Sequence, residues 1–205
     1  MDELLAAYAA GHLSGPLHAL VASHLSIKPD NRAFVAALET LKGDELEAMA
    51  PAPITNREAR LAAIFDAIDP PAPRPALGCD VVPGPLARVI GREFNAVPWR
   101  TVLPGIKEFR LKEEVDGEAS LLWIRPGRTM PSHTHDGSEI TLVLKGGFTD
   151  ATGHYTRGDI AIADSEIDHR PRADEGEDCV CFAVTDAPLR LTGTVGRLVQ
   201  RIFGH

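Results

Sequence analysis

The chain has 205 residues, 44% of them hydrophobic, and a formal net charge of −8. That apolar fraction supports a packed core and argues against global disorder, while the lack of any Lys/Arg cluster disfavours direct nucleic-acid binding. No apolar run approaches the ~18 residues of a membrane helix, and the start, Met1-Asp2-Glu3, lacks the basic and apolar regions of an export signal. A cytoplasmic protein is expected. Three cysteines, Cys79, Cys179 and Cys181, fit a reducing compartment better than a disulfide framework.

The first 68 residues read as about four helices. Leu4, Leu5 and Tyr8 form an apolar stripe that ends at Gly11, and Ser14 with Pro16 opens a second helix through Leu17, Leu20, Val21 and His24. After a break at Ile27-Lys28-Pro29, Asp30 is the expected cap of a third helix through Phe34, Val35 and Leu38. A fourth starts near Thr55-Asn56 and carries Leu61, Ile64, Phe65 and Ile68 on one face. Four short helices are too few to cover all these faces, so part of the apolar surface is expected to await a partner.

Residues 69–86 hold six prolines (Pro70, Pro71, Pro73, Pro75, Pro83 and Pro85), which predicts a semi-extended linker between two domains. From residue 87 onward, short apolar runs are split by turn residues. Residues 120–124, 139–144 and 179–184 read as strands, and Pro126-Gly127, Lys145-Gly146-Gly147 and Arg157-Gly158-Asp159 as turns. The pattern predicts an antiparallel barrel or sandwich over 87–205.

Within this half, His133 and His135 lie two residues apart, so on a strand their imidazoles leave the same face. Glu139 can return a carboxylate to that face, and His169 follows a later turn and strand. Three imidazoles and a carboxylate suit one divalent metal: zinc first, with iron, manganese or nickel also compatible. The spacing G-x5-H-x-H-x3-E-x6-G from Gly127 to Gly146 resembles the first cupin motif, and Gly158-Asp159 with His169 resembles the second. The resemblance implies a jelly-roll β-barrel and a single metal held by His133, His135, Glu139 and His169. The fold class expected is therefore α + β, a small helical bundle joined to a cupin barrel.

The two halves together resemble the ChrR-type anti-sigma factors. The words that carry this are Leu4-Leu5-Ala6-Ala7-Tyr8-Ala9-Ala10-Gly11, Val21-Ala22-Ser23-His24-Leu25-Ser26, Glu139 to Gly146, and Thr185-Asp186-Ala187-Pro188-Leu189-Arg190. The resemblance implies a helical module that sequesters a group IV (ECF) sigma factor, and a cupin that senses oxidative or chemical stress. One departure stands out. The family's helical module holds zinc with an upstream His and H-x3-C-x2-C, whereas this chain has His24, Lys28 and Asn31 at those positions. No zinc is expected in residues 1–68, and His24 reads as a half-buried or surface histidine.

Cys179 and Cys181 match a family Cys-x-Cys pair. They are read either as two buried small hydrophobes or as a redox or sensing pair near the metal. Cys79 reads as an exposed residue of the linker, and His12, His18, His154 and His205 as surface residues. A metal-dependent cupin enzyme (a small dioxygenase or isomerase) and a plain binding protein are the alternatives to the regulator. A homodimer through the barrels is compatible with the strand pattern, though no apolar stripe selects it.

Overall fold

The computed structural model describes residues 1–67, 78–111, 118–165, 167–187 and 189–192, with backbone alone at 135 and 189–191. Helices come first: α1 (Asp2–Ala9), α2 (Gly15–Ile27), a short 3-10 turn (Pro29–Asn31), α3 (Arg32–Ala48), α4 (Arg57–Asp66) and α5 (Gly84–Ile90). The strands are β1 (Arg100–Leu103), β2 (Ile106–Arg110), β3 (Glu118–Ile124), β4 (His133–His135), β5 (Glu139–Lys145), β6 (Gly147–Thr149), β7 (His154–Thr156), β8 (Ile160–Ala163), β9 (Arg172–Ala173), β10 (Cys179–Thr185) and β11 (Leu189–Leu191).

Two expectations are corrected. Five helices are seen among the described residues instead of about four, and the extra one, α5, begins inside the segment read as linker. Pro85 sits in the first turn of α5, where its missing N–H costs nothing, so a Pro-Gly-Pro run opens a helix here. Leu86 and Ala87 of α5 are fully buried. Residues 68–77 of that segment lie outside the described residues. The third helix also starts later than Asp30, because the chain first makes the 3-10 turn and Asn31 takes the capping position.

The six-stranded sheet has the order β1-β2-β3-β10-β5-β8, and each of its pairings is antiparallel. Alternation assigns each residue to a face. On β10, Val180, Phe182 and Val184 join a core with Leu121, Leu142 and Leu144, while Cys179 and Cys181 point the other way, with Ile106, Ile124 and Val143. Phe148 of β6 and Ala173 of β9 pack on this second set, so it is the barrel interior. The first set is covered by Leu5 of α1, Leu20, Val21 and Leu25 of α2, and Leu86 and Ile90 of α5.

The sheet is thus buried on both faces, which explains why β5 and β10 are nearly continuous apolar runs. It also answers part of the surplus apolar surface of the helices, since α2 finds a partner in the sheet while α1 packs on α3 and α2. α3 buries only Val35, and α4 buries nothing. Phe34, Leu41, Leu46 and Met49 on or beside α3 stay exposed, as do Ile64 and Phe65 of α4, at 68% and 78%.

Candidate metal centre

The barrel encloses a cavity of about 750 Å³ between the inner face of the six-stranded sheet and the strands opposite it. His133, at the start of β4, and His169 face each other across an isolated antiparallel bridge, with N–H···O bonds of 3.1 Å in both directions. Directly opposed residues project their side chains to the same side. The ring centroids are 4.3 Å apart. Glu139, the first residue of β5, reaches in from the neighbouring sheet. Its Oε2 lies 3.8 Å from His133 Nε2 and 4.0 Å from His169 Nε2.

Each group is oriented by a further contact. His133 Nδ1 donates to the Pro131 carbonyl at 2.8 Å, and Thr141 Oγ1 donates to Glu139 Oε1 at 2.8 Å. His169 Nδ1 donates to Asp150 Oδ2 at 3.2 Å. Both imidazoles therefore turn Nε2 toward the carboxylate, and one ligand atom from each of the three residues falls within 4.8 Å of the others. Two buried imidazoles and a carboxylate are the donor set of a divalent transition metal or zinc. The expected fourth residue, His135, has its backbone on β4, while its side chain lies outside the described residues.

Burial works against a charged His133, but the Glu139 carboxylate and the Pro131 carbonyl outweigh it and hold its pKa above the usual histidine value. Burial together with the neighbouring His133 lowers that of His169. Asp150 is buried, yet hydrogen bonds from Thr152, His169 and Gly153 overcome desolvation and keep its carboxyl below the ordinary range.

Asp150 is the site residue that sequence reading missed. It sits beyond β6, 19 residues from His169, and the only local signal is an Asp-Ala-Thr-Gly turn. There Oδ1 accepts from the amides of Thr152 and Gly153, which leaves Oδ2 for the imidazole. Replacing it, Asp150→Asn, is expected to weaken metal binding by about 10- to 100-fold while the fold persists, measured by competition against a chelator.

Cys179 and Cys181 are both buried, with sulfurs 3.6 Å apart, and Cys181 lines the cavity. Its thiol is pushed well above the usual cysteine value by the Cys179 contact, by burial and by Glu139. Cys79 is exposed. Among the expected surface histidines, His154 pairs with Asp174 at 2.7 Å and His18 stacks on Tyr8. His205 lies outside the described residues.

His24 departs from its expected half-exposed state: only 5% of it is accessible. Its Nδ1 donates to the Gly158 carbonyl at 2.7 Å, and Asn31 Nδ2 donates to its Nε2 at 3.0 Å. Lys28, at the other changed position, pairs with Asp159 at 2.5 Å. Two of the positions where the resemblance puts zinc ligands, His24 and Lys28, thus contact a barrel turn, and Asn31 braces His24.

Fold and site together define a cupin-like barrel with a helical N-terminal part. Residues 88–188 match the ChrR cupin-like domain. The chain is 42% identical to the anti-sigma-E factor ChrR of Cereibacter sphaeroides, over 98% of this chain and 95% of that protein. It is also similar to the anti-sigma ChrR in the crystal structure of its complex with SigE from Rhodobacter sphaeroides. There the TM-score is 0.77 and the identity 41%, over 91% of this chain and 97% of that one. The chain belongs to the ChrR family of cupin-containing anti-sigma factors. No helix among the described residues is long and apolar enough to cross a membrane.

Proposed function

We propose that this chain sequesters a group IV (ECF) sigma factor through residues 1–68, and that residues 87–205 hold one divalent metal and sense oxidative or chemical stress in the cytoplasm. The observation that carries the first half is the exposed apolar surface of α3 and α4. Leu61, Ile64 and Phe65 fall at i, i+3 and i+4 on a helix that buries none of its own residues. Such a surface is an expected docking site for a protein partner, and the relatives named as anti-sigma factors support a sigma factor as that partner.

The metal ligands in this reading are His133, His135, Glu139 and His169, with zinc the favoured ion and iron, manganese or nickel compatible. An ion held by these residues would supply a positive, Lewis-acidic centre at the cavity wall. Asp150, Thr141 and the Pro131 carbonyl orient the ligands. Cys179 and Cys181 belong to the proposal as sensing residues. Cys181 lines the cavity with the Cys179 sulfur 3.6 Å away, so an oxidant that enters meets the pair, while burial shields both from bulk solvent.

The test is co-expression of the full chain with the sigma factor encoded beside it, with metal quantified in the purified sample. A 1:1 complex holding one metal per chain is expected. A chain that carries metal but binds no sigma factor would sink the anti-sigma assignment and leave the cupin site standing.

A further inference from the structure

We infer that the barrel turn Arg157-Gly158-Asp159 clamps the hinge between α2 and α3 and so sets the direction in which α3 presents its apolar residues. The functional consequence rests on reading α3 as part of the sigma-docking surface.

The two helices differ in how they are held. Leu20 and Val21 anchor α2 in the core shared with the sheet, with no exposure, whereas α3 buries only Val35. Lys28 to Asn31 join them, and this joint is where the barrel takes hold. His24, one turn before the end of α2, binds the Gly158 carbonyl through one ring nitrogen and Asn31 through the other, so a single buried imidazole ties hinge to barrel. Lys28, the residue that ends α2, pairs with Asp159. The approach is close enough to require glycine at 158. Its φ is +91°, and a Cβ there would lie 2.7 Å from Ile27 Cγ2 and 2.9 Å from Lys28 Cγ.

The turn is firmly attached on its own side. Gly158 N donates to the Val143 carbonyl at 2.8 Å, and Val143 N to the Asp159 carbonyl at 3.0 Å. Arg157 Nε donates to the Leu144 carbonyl at 3.0 Å, and Asp159 Oδ2 accepts from Thr156 N at 2.8 Å. β5 and β8 flank these contacts, and Glu139, Thr141, Ala161 and Ala163 of the same strands line the cavity. One hydrogen-bonded piece of barrel therefore reaches from the cavity wall to the hinge. It supplies an element whose displacement can change sigma affinity, which a coupling between the two sites requires.

The experiment uses the full chain as wild type, Lys28→Asp, Asp159→Lys and the double charge swap, with Gly158→Ala as a steric variant. Circular dichroism checks that each folds. Hydrogen exchange by mass spectrometry across residues 24–41, and affinity for the co-encoded sigma factor, are the readouts. Each single substitution and Gly158→Ala should raise exchange about threefold or more and shift sigma affinity by a similar factor. The swap should return both part of the way from the Asp159→Lys values toward wild type, since it restores the ion pair but not the Thr156 bonds to Asp159. Unchanged exchange in all three disrupted variants overturns the clamp. Raised exchange with sigma affinity within about twofold of wild type overturns its regulatory consequence. A wild-type chain with no sigma affinity defeats the functional reading instead, and exchange still decides the clamp.

Discussion

Ile64→Asp combined with Phe65→Asp is expected to abolish capture of the sigma factor while leaving the fold intact. The two side chains are 68% and 78% exposed, and no residue of α4 is buried. Substitutions at such positions usually change stability by no more than about 0.5 kcal/mol. If the same side chains are anchors at an interface, each contributes about 2 kcal/mol or more to binding, which together is roughly a thousandfold in affinity. The measurement is a pair of curves, denaturant unfolding of the chain alone and titration against the sigma factor. Unchanged affinity would remove α4 from the docking surface. A lowered unfolding midpoint would mean that α4 is held within the chain itself.

The second large effect concerns the metal. His133→Ala together with His169→Ala is expected to reduce bound metal from one equivalent to a trace. It leaves Glu139 as the only member of the observed group, and even with His135 two ligands are too few to hold a transition ion tightly. An ion bound at a thousand times its dissociation constant contributes about 4 kcal/mol to the folded state, so the wild-type melting temperature should fall on chelation. The double variant should be insensitive to the chelator. Elemental analysis and thermal melts with and without EDTA read both quantities. Retention of a full equivalent would move the metal elsewhere in the chain.

Much of this protein was legible from residue order alone. His133 and Glu139 were marked by the spacing of one motif and His169 by that of a second, and the structure brings the three side chains together. The apolar runs at 120–124, 139–144 and 179–184 each became a strand of one sheet. Ser14 and Pro16 marked the start of α2, where their chemistry is local. The excess apolar surface on residues 34–65 was legible too, since an amphipathic helix announces its sticky face whether or not anything covers it.

Other features were decided only when the chain closed on itself. Proline content suggested an extended segment up to residue 86, but α2 and the sheet offered Leu86 and Ala87 a buried site, and tertiary packing overrode composition. Asp150 reaches His169 because β6 pairs with β9, the strand that follows the 169 segment. His24 and Lys28 were read as remnants of a lost zinc site, and their partners Gly158 and Asp159 stand 134 and 131 residues further along the chain. Periodicity and motif spacing report which way a side chain points from its own element. Which distant element it meets depends on the layering of helices on the sheet, and that is where the sequence stops and the tertiary structure begins.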